Sequence, residues 1–305
     1  MVAALKLAIT GGTGFVGARL LDAALAGGHS VRALTRQPQS PRDGVTWVDG
    51  ALDRPDCLDA LVEGTDAVIH VAGVVNAPDA AGFEAGNVID TGAVLAAAEK
   101  AGIARFVHVS SLAAREPKLS LYGASKARSE ALVAASPLSA AIIRPPAIYG
   151  PGDRELLEMF KMAARGFVLL PPPGRLSLLH ADDLARLLLA LSAPAAPSEL
   201  TVEPDDGRPS GWSHVEFADL LAAAVGRKVK TVSMARPVLA VAARADRLLR
   251  GARAKLTPDR AAYFSHPDWV ADPEHAVPPD LWQPEIPTEQ GLAATAGWYR
   301  QAGWL

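Results

Sequence analysis

The sequence predicts an α/β fold, a doubly wound parallel sheet with a small, mostly helical C-terminal domain appended. Three observations predict it. Short apolar runs alternate with helix-length stretches as far as Arg144, the pattern of strand–helix–strand units that cover a parallel sheet on both faces. A glycine-rich turn, Thr10 to Gly17, joins the first run to the first helical stretch. Beyond Arg144 the rhythm breaks at Pro145, Pro146, Pro151 and Pro171–Pro173, because proline fixes φ and removes a backbone donor.

The elements follow in order. Leu5–Ile9 and Val31–Leu34 are apolar strands flanking the helix Ala18–Ala26, which Gly27-Gly28 stops. Val45–Val48 is a short strand, and a helix runs from Pro55 to Val62. Asp66–His70 is the next strand, with Val68 and Ile69 at its centre, and a helix from Phe83 to Ala101 leads into the strand Arg105–Val109. Tyr122–Ala135 reads as a helix and Ala140–Arg144 as the strand after it. These strands are almost continuously apolar, as strands buried on both faces must be. Later, Asp182 or Asp183 is expected to cap a helix ending at Ser192, and helices follow near His214–Val225 and Pro237–Arg250. The last third reads as an irregular cap, with a Pro- and Trp-rich tail from Ser265 to Trp282.

Composition removes several function classes. Of 305 residues, 50% are hydrophobic and 21% charged, enough for a large core and against disorder. A net charge of −3 gives no electrostatic reason to expect nucleic acid. The single cysteine, Cys57, excludes an internal disulfide and a multi-Cys metal site, and suits a reducing cytoplasm. No His, Asp and Glu cluster stands at ligand spacing, so no metal is expected. No secretory leader and no transmembrane run is read, and a cytoplasmic location is expected. In Pro237–Arg250, Leu239, Val241, Leu248 and Leu249 alternate with Arg244, Arg247 and Arg250. Such a helix can lie on a membrane, but the ordinary expectation is a solvated surface helix.

The turn Thr10-Gly11-Gly12-Thr13-Gly14-Phe15-Val16-Gly17 carries two overlapping glycine spacings. Gly12, Gly14 and Gly17 fit G-x-G-x-x-G, and Gly11, Gly14 and Gly17 fit T-G-x-x-G-x-x-G. The glycines permit a tight turn and close approach of backbone to a pyrophosphate, which then meets the positive end of the following helix. NAD readers place an acid about 20 residues beyond these glycines for the ribose 2′-hydroxyl. No acid lies between Asp22 and Asp43, and Arg36 follows Leu34-Thr35 instead. A guanidinium there suits a 2′-phosphate, so the expected cofactor is NADP. Arg32 points elsewhere if side chains alternate along its strand.

Tyr122 and Lys126 stand four residues apart, on one helical face. The lysine cation, together with the positive nicotinamide of an oxidised cofactor, is expected to lower the phenol's pKa from about 10, so that it exchanges a proton with a substrate oxygen. Ser110 and Ser111 end the strand Arg105–Val109, at the carboxyl edge where open parallel sheets bind ligands.

With these residues in view, the chain resembles the extended branch of the short-chain dehydrogenase/reductase superfamily, the NAD-dependent epimerase/dehydratase type. The matching segments are TGGTGFVG (10–17), DAVIHVAG (66–73), Asn87 with Thr91, RFVHVSSLAA (105–114), YGASK (122–126), RPPAIYGPGD (144–153) and HADDLA (180–185). The closing stretch 291–305 resembles the family's C-terminal helix. The resemblance implies a Rossmann unit over residues 1–149 with about 176–203, and a substrate-binding cap from 150–175 and 204–305. It makes Tyr122 the acid/base, Lys126 its ribose-binding partner, and Ser111 the hydroxyl on the substrate oxygen. Gly11, Thr13, Gly14, Phe15, Val16 and Gly17 would hold the pyrophosphate side, with Arg36 and Leu52 at the adenosine end. Ala72 and Gly73 would line the central ribose, Pro145 to Ile148 the nicotinamide, and Gly150 onward the substrate.

The chain also departs from the pattern. Ala51 stands where the family shows an adenine-contacting Asp after the glycine, leaving Asp53 as an expected surface residue. Asp90 replaces a glycine of the Asn87 helix and is expected to face solvent. The short interval from Ser111 to Tyr122 leaves little loop over the site. His70 and His108 read as packed histidines, His180 as a modest pocket candidate, and Trp269, Trp282, Trp298 and Trp304 mainly as packing anchors.

A small-molecule substrate follows, and three readings stand open. The first is an NADP(H)-linked carbonyl reductase or alcohol dehydrogenase, resembling the dihydroflavonol-reductase and 3β-hydroxysteroid-dehydrogenase branches. The second is a nucleotide-sugar epimerase or dehydratase, for which Lys161, Arg165 and Arg175 are the candidate diphosphate ligands. The third is a non-catalytic nucleotide-bound protein. A homodimer through the helices of Asn87 and Tyr122 is what the resemblance implies for assembly.

Overall fold

Seven parallel strands form the centre of the molecule in a computed structural model, which describes residues 4–251, 254 and 256–305. The first half runs β1 (Lys6–Thr10), α1 (Phe15–Ala26), β2 (Ser30–Thr35), β3 (Val45–Asp49), α2 (Pro55–Val62) and β4 (Ala67–His70). A helical segment follows as α3 (Ala80–Phe83), a π-helical turn (Glu84–Ile89) and α4 (Asp90–Lys100). Then come β5 (Arg105–Val109), α5 (Leu121–Ala135), β6 (Ser139–Ile143), β7 (Ala147–Tyr149), α6 (Leu157–Ala164), β8 (Phe167–Leu170), β9 (Arg175–Leu176) and β10 (Leu178–His180). The remainder is α7 (Ala181–Ser192), β11 (Leu200–Val202), β12 (Trp212–Ser213), α8 (His214–Val225), β13 (Lys230–Ser233), α9 (Arg236–Arg250), α10 (Pro258–Phe264), β14 (Asp268–Trp269) and α11 (Thr288–Gln301).

The large sheet has the order β11-β6-β5-β4-β1-β2-β3, every pair parallel. The doubly wound α/β class is therefore as expected. Strands β4 and β5 are buried at every residue, which is why they read as unbroken apolar runs. Helices α1 and α7 cover one face with Leu20, Leu21, Leu184, Leu187, Leu188 and Leu191, and Trp282 seals that layer. On the other face Leu58, Leu61, Val94, Leu95 and Val133 from α2, α4 and α5 pack on Phe106 and Ile142. Each such side chain contributes about 1.5–3 kcal/mol when fully buried.

The later part is less irregular than its prolines imply. A third cluster joins Tyr149, Phe160, Phe217, Leu221, Leu292 and Tyr299, and short strands pair as β10-β7, β13-β8 and β12-β9-β14. Two- to four-residue strands carry too little periodicity to announce themselves in a sequence. The start of α7 also differs from expectation. His180, not an aspartate, caps it, its Nδ1 accepting from the Asp182 amide at 3.2 Å. Asp183 turns inward to Arg186 and to the amides of Glu285 and Ile286.

A buried ion network ties the sheet to the C-terminal segment. Arg144, at the end of β6, makes a two-pronged contact with Glu130 on α5 (Nη2–Oε2 2.7 Å, Nε–Oε1 3.0 Å) and reaches Glu203 at 3.3 Å. Arg115 meets the same Glu203 at 3.0 Å and donates to the Val270 carbonyl at 2.8 Å. Breaking a buried pair costs more than the pair itself contributes, because the surviving charge keeps its desolvation. Glu203→Ala, which leaves two guanidinium groups short of a carboxylate, is therefore expected to destabilise the chain by about 3 kcal/mol. Urea unfolding measures it, and an unchanged midpoint would mean that solvent already screens both arginines.

Candidate active site

The strand order reverses between β1 and β4, so connections leave these neighbours toward opposite sides and open a crevice at their carboxyl ends. The glycine turn sits there. Gly11 has φ +71°, and a Cβ on it would stand 2.7 Å from the Ala72 amide nitrogen, so the turn lies directly against the chain leaving β4. A Cβ on Gly17 would collide with the Gly11 carbonyl. Helix α1 begins at Gly14 with no side-chain cap, whereas Ser120, Ser213 and Thr257 cap α5, α8 and α10. Open N–H groups at a helix start backed by a side-chain-free turn make a cradle for an anion. The residues present thus fit a dinucleotide.

A cavity of about 1690 Å³ runs from this turn to the C-terminal helices. All of the expected ligand residues border it. Gly11, Thr13, Gly14, Phe15, Val16 and Gly17 line it, as do Arg36 and Leu52. Ala72 and Gly73 form the floor, Pro145 and Ile148 the opposite edge, and Ser111, Tyr122 and Lys126 the centre. Residues Pro151 to Leu156 extend the lining beyond β7. Arg32 is engaged elsewhere, donating to the Ala60 carbonyl at 2.9 Å.

Sequence reasoning about the charged residues at the adenosine end needs correction. Asp90 is half-buried on the cavity wall rather than turned to solvent; burial and repulsion from Asp53 raise its pKa, and Arg36 lowers it. Asp53 is exposed but borders the cavity. His180 does not line the cavity, being occupied by its cap and by an edge-on Tyr149 ring at 5.2 Å. Trp298 and Trp304 do line it, while Trp269 and Trp282 do not.

At the centre, neighbouring serines are divided between two tasks. Ser110 donates to Glu130 Oε1, joining the ion network. Ser111 lines the cavity with Tyr122, and its Oγ accepts from the Ala113 amide at 3.2 Å. Lys126 Nζ donates to the Val109 carbonyl at 2.7 Å, and a Cβ on Gly73 would stand 3.7 Å from it. Asn87 clamps these parts together. Its Oδ1 accepts from Val74 N at 2.7 Å, and its Nδ2 donates to Val74 O and Ser125 Oγ, both at 2.9 Å. Thr91 spends its one hydroxyl hydrogen on Asn87 O (2.7 Å), so it accepts from His70 Nε2 at 3.1 Å. His70 Nδ1 then accepts from Thr10 Oγ1 at 2.7 Å, and Thr10 Oγ1 accepts from Ala72 N at 3.2 Å. One continuous chain of hydrogen bonds therefore runs from the floor to the clamp.

The electrostatics follow from depth. Burial pushes His70 down to about 3 and His108 well below its usual value, with Lys126 lowering both further. Both imidazoles are neutral, as packed histidines should be. Burial also lowers Lys126 to about 8, against an opposing pull from Glu130. The protein's own groups do not acidify Tyr122. Burial raises its pKa, the Ser111 hydrogen bond draws it down, and Glu155 raises it again. The phenol holds its proton at neutral pH.

What covers the site was not visible in the sequence. With little chain between Ser111 and Tyr122, the cover comes from Phe83, whose ring centroid lies 6.1 Å from that of Tyr122, and from helix α10. Asp259 of α10 accepts from the Leu121 amide at 2.6 Å, and Arg260 pairs with Glu155 at 2.8 Å. These tethers hold Tyr263 and Phe264 on the cavity wall. No spacing pattern links α10 to Tyr122 across such a sequence distance.

Residues 7–200 match the model of the NAD dependent epimerase/dehydratase family. The chain is 39% identical over 308 residues to the ceramide reductase of Caulobacter vibrioides, covering 98% of this chain and 96% of that protein. It is 33% identical to the 2-alkyl-3-oxoalkanoate reductase of Stenotrophomonas maltophilia, over 53% of this chain and 56% of that one. Among solved structures, the Bordetella bronchiseptica enzyme WbmG in complex with NAD and UDP superposes with a TM-score of 0.76 at 18% identity, over 99% of this chain and 97% of that one. At that identity the likeness is one of fold.

The crowded glycine turn yields a direct test. Gly17→Ala forces the turn apart, and overpacking of this kind costs about 1–3 kcal/mol. Binding of a nicotinamide dinucleotide is expected to weaken by about tenfold to a hundredfold. Calorimetric titration reads this, and unchanged affinity would show that the turn does not hold the pyrophosphate.

Proposed function

The chain belongs to the NAD dependent epimerase/dehydratase family of extended short-chain dehydrogenases/reductases, and from that premise we propose that it is an NADP(H)-dependent reductase of a ketone borne by a long-chain, ceramide-like amphiphile. The observation that carries the reading is that Ser111, Tyr122 and Lys126 line one cavity together with the glycine turn and a set of apolar side chains. Val74, Val75, Leu121, Leu156, Phe264 and Trp298 are those apolar side chains, and Arg154, Glu155, Asp259 and Arg260 line the same cavity. Residues 1–149 with about 176–203 hold the cofactor in this reading, and 150–175 with 204–305 shape the substrate side.

When bound, the reduced nicotinamide supplies a hydride to the carbonyl carbon. Ser111 orients the carbonyl oxygen, and Tyr122 gives that oxygen its proton, so the ketone becomes a secondary alcohol. A phenol carries its proton at neutral pH, so Tyr122 can serve as the acid that reduction needs. Lys126, anchored on Val109 O, keeps a charge beside the phenol to stabilise the phenolate left behind, and offers its other donors to ribose hydroxyls. The amphiphile is supported by the full-length likeness to a ceramide reductase.

A nucleotide-sugar substrate is less well supported. None of Lys161, Arg165 and Arg175 borders the cavity. Lys161 pairs with Glu158, and Arg175 with Ser210, Gly211 and Glu216. A non-catalytic role gives no reason for Ser111, Tyr122 and Lys126 to converge.

NADP is supported by Arg36, which lines the cavity just after β2, a strand that carries no acid. Arg36→Glu is expected to weaken NADPH by about tenfold to a hundredfold and leave NADH nearly unchanged. Paired titrations check this; an equal loss for both would remove the 2′-phosphate from the proposal. For the reaction, NADPH oxidation is followed at the reduced-nicotinamide band with an N-acylated long-chain 3-ketoamine. Tyr122→Phe should lower kcat by about a hundredfold to ten-thousandfold with cofactor affinity kept. Turnover surviving in that variant would overturn the assignment.

A further inference from the structure

We propose that helix α9 seats this protein on an anionic phospholipid surface, beside helix α10, which borders the cavity. Among the described residues of this helix only Leu239 and Ala243 belong to a core, packing with Ala261 of α10. The outward arc carries Val238, Val241, Leu248 and Leu249, which are 56%, 63%, 87% and 85% exposed. At 100° per residue these four fall within roughly a third of the helix circumference, so they form one apolar face. An ordinary surface helix turns its leucines inward; here adjacent leucines stand almost fully in water.

The charge says what covers this face. Along α9 the sequence has four basic residues, Arg236, Arg244, Arg247 and Arg250, against one acid, Asp246. The chain as a whole is negative, at −3. Asp246 is taken up by Arg250 at 3.2 Å and by the Leu256 amide at 2.9 Å, away from the apolar arc. An apolar face on a strongly basic helix fits lipid phosphates around a shallow hydrocarbon insertion. No helix among the described residues is long and apolar enough to cross a bilayer, so the geometry is one of lying on the surface. Helix α10, packed on α9, borders the cavity with Tyr263 and Phe264. A lipid leaving the surface would therefore enter one helix away from Tyr122.

The docking needs no turnover, so its test stands apart from the reductase reading. The full chain is sedimented with vesicles of phosphatidylglycerol and, separately, of phosphatidylcholine. Binding to phosphatidylglycerol is expected, about tenfold or more weaker on phosphatidylcholine, and falling with salt. Leu248→Asp with Leu249→Asp should lose about tenfold or more in vesicle affinity, each leucine contributing a buried apolar side chain, with thermal unfolding unchanged. If that pair fails to fold, Val238→Ser with Val241→Ser tests the same face. No binding of the native chain to phosphatidylglycerol, or equal binding by the folded variant, overturns the proposal. So does light scattering showing a native dimer that the variant reduces to a monomer, because the face would then be covered by a second copy.

Discussion

Gly11 lies against the chain leaving β4 more closely than any side chain would permit. Its positive φ turns the backbone back on itself, and a Cβ would stand 2.7 Å from Ala72 N. Because these two chain segments touch, the open start of α1 faces the floor made by Ala72 and Gly73, and one crevice serves both. A doubly wound sheet places such a crevice where its strand order reverses. Glycine lets this one close to backbone contact.

The second consequence is electrostatic. Pressing the floor close to α5 buries Lys126, and a buried ammonium demands partners. It finds Val109 O, and it lies above two imidazoles that burial keeps neutral and so repels neither. The nearest balancing acid, Glu130, is shared with Arg144 and Ser110. Ser110 is thereby committed to structure, leaving Ser111 free to face Tyr122. Adjacent residues of the same type acquire different tasks because one carboxylate claims only the nearer hydroxyl.

Helices α9 and α10 give the site its surroundings. Two polar tethers, Asp259 to Leu121 and Arg260 to Glu155, hold α10 over the phenol. Through the small apolar contact of Leu239, Ala243 and Ala261, α10 also carries α9 with its bare leucines. Site and surface face are thus joined by a short rigid path. A substrate with one ketone and long chains would suit both ends of it.

Much of this was legible before any coordinates. Thr10–Gly17, the apolar strands, Ser111, Tyr122 and Lys126 all obey local rules of turn geometry, strand period and helical spacing, and local rules survive folding. The family likeness likewise rests on contiguous segments. Burial, which raises the phenol's pKa, is a tertiary effect that the helical spacing of Tyr122 and Lys126 does not carry. Asp90 was misplaced because one residue on a helix does not reveal which neighbour shades it. The cover by α10, the bypass of the site by Lys161, Arg165 and Arg175, and the exposed arc of α9 were decided only by tertiary packing. Each depends on which distant segments meet, and the free energy of such meetings is spread over many weak contacts that leave no pattern in adjacent residues.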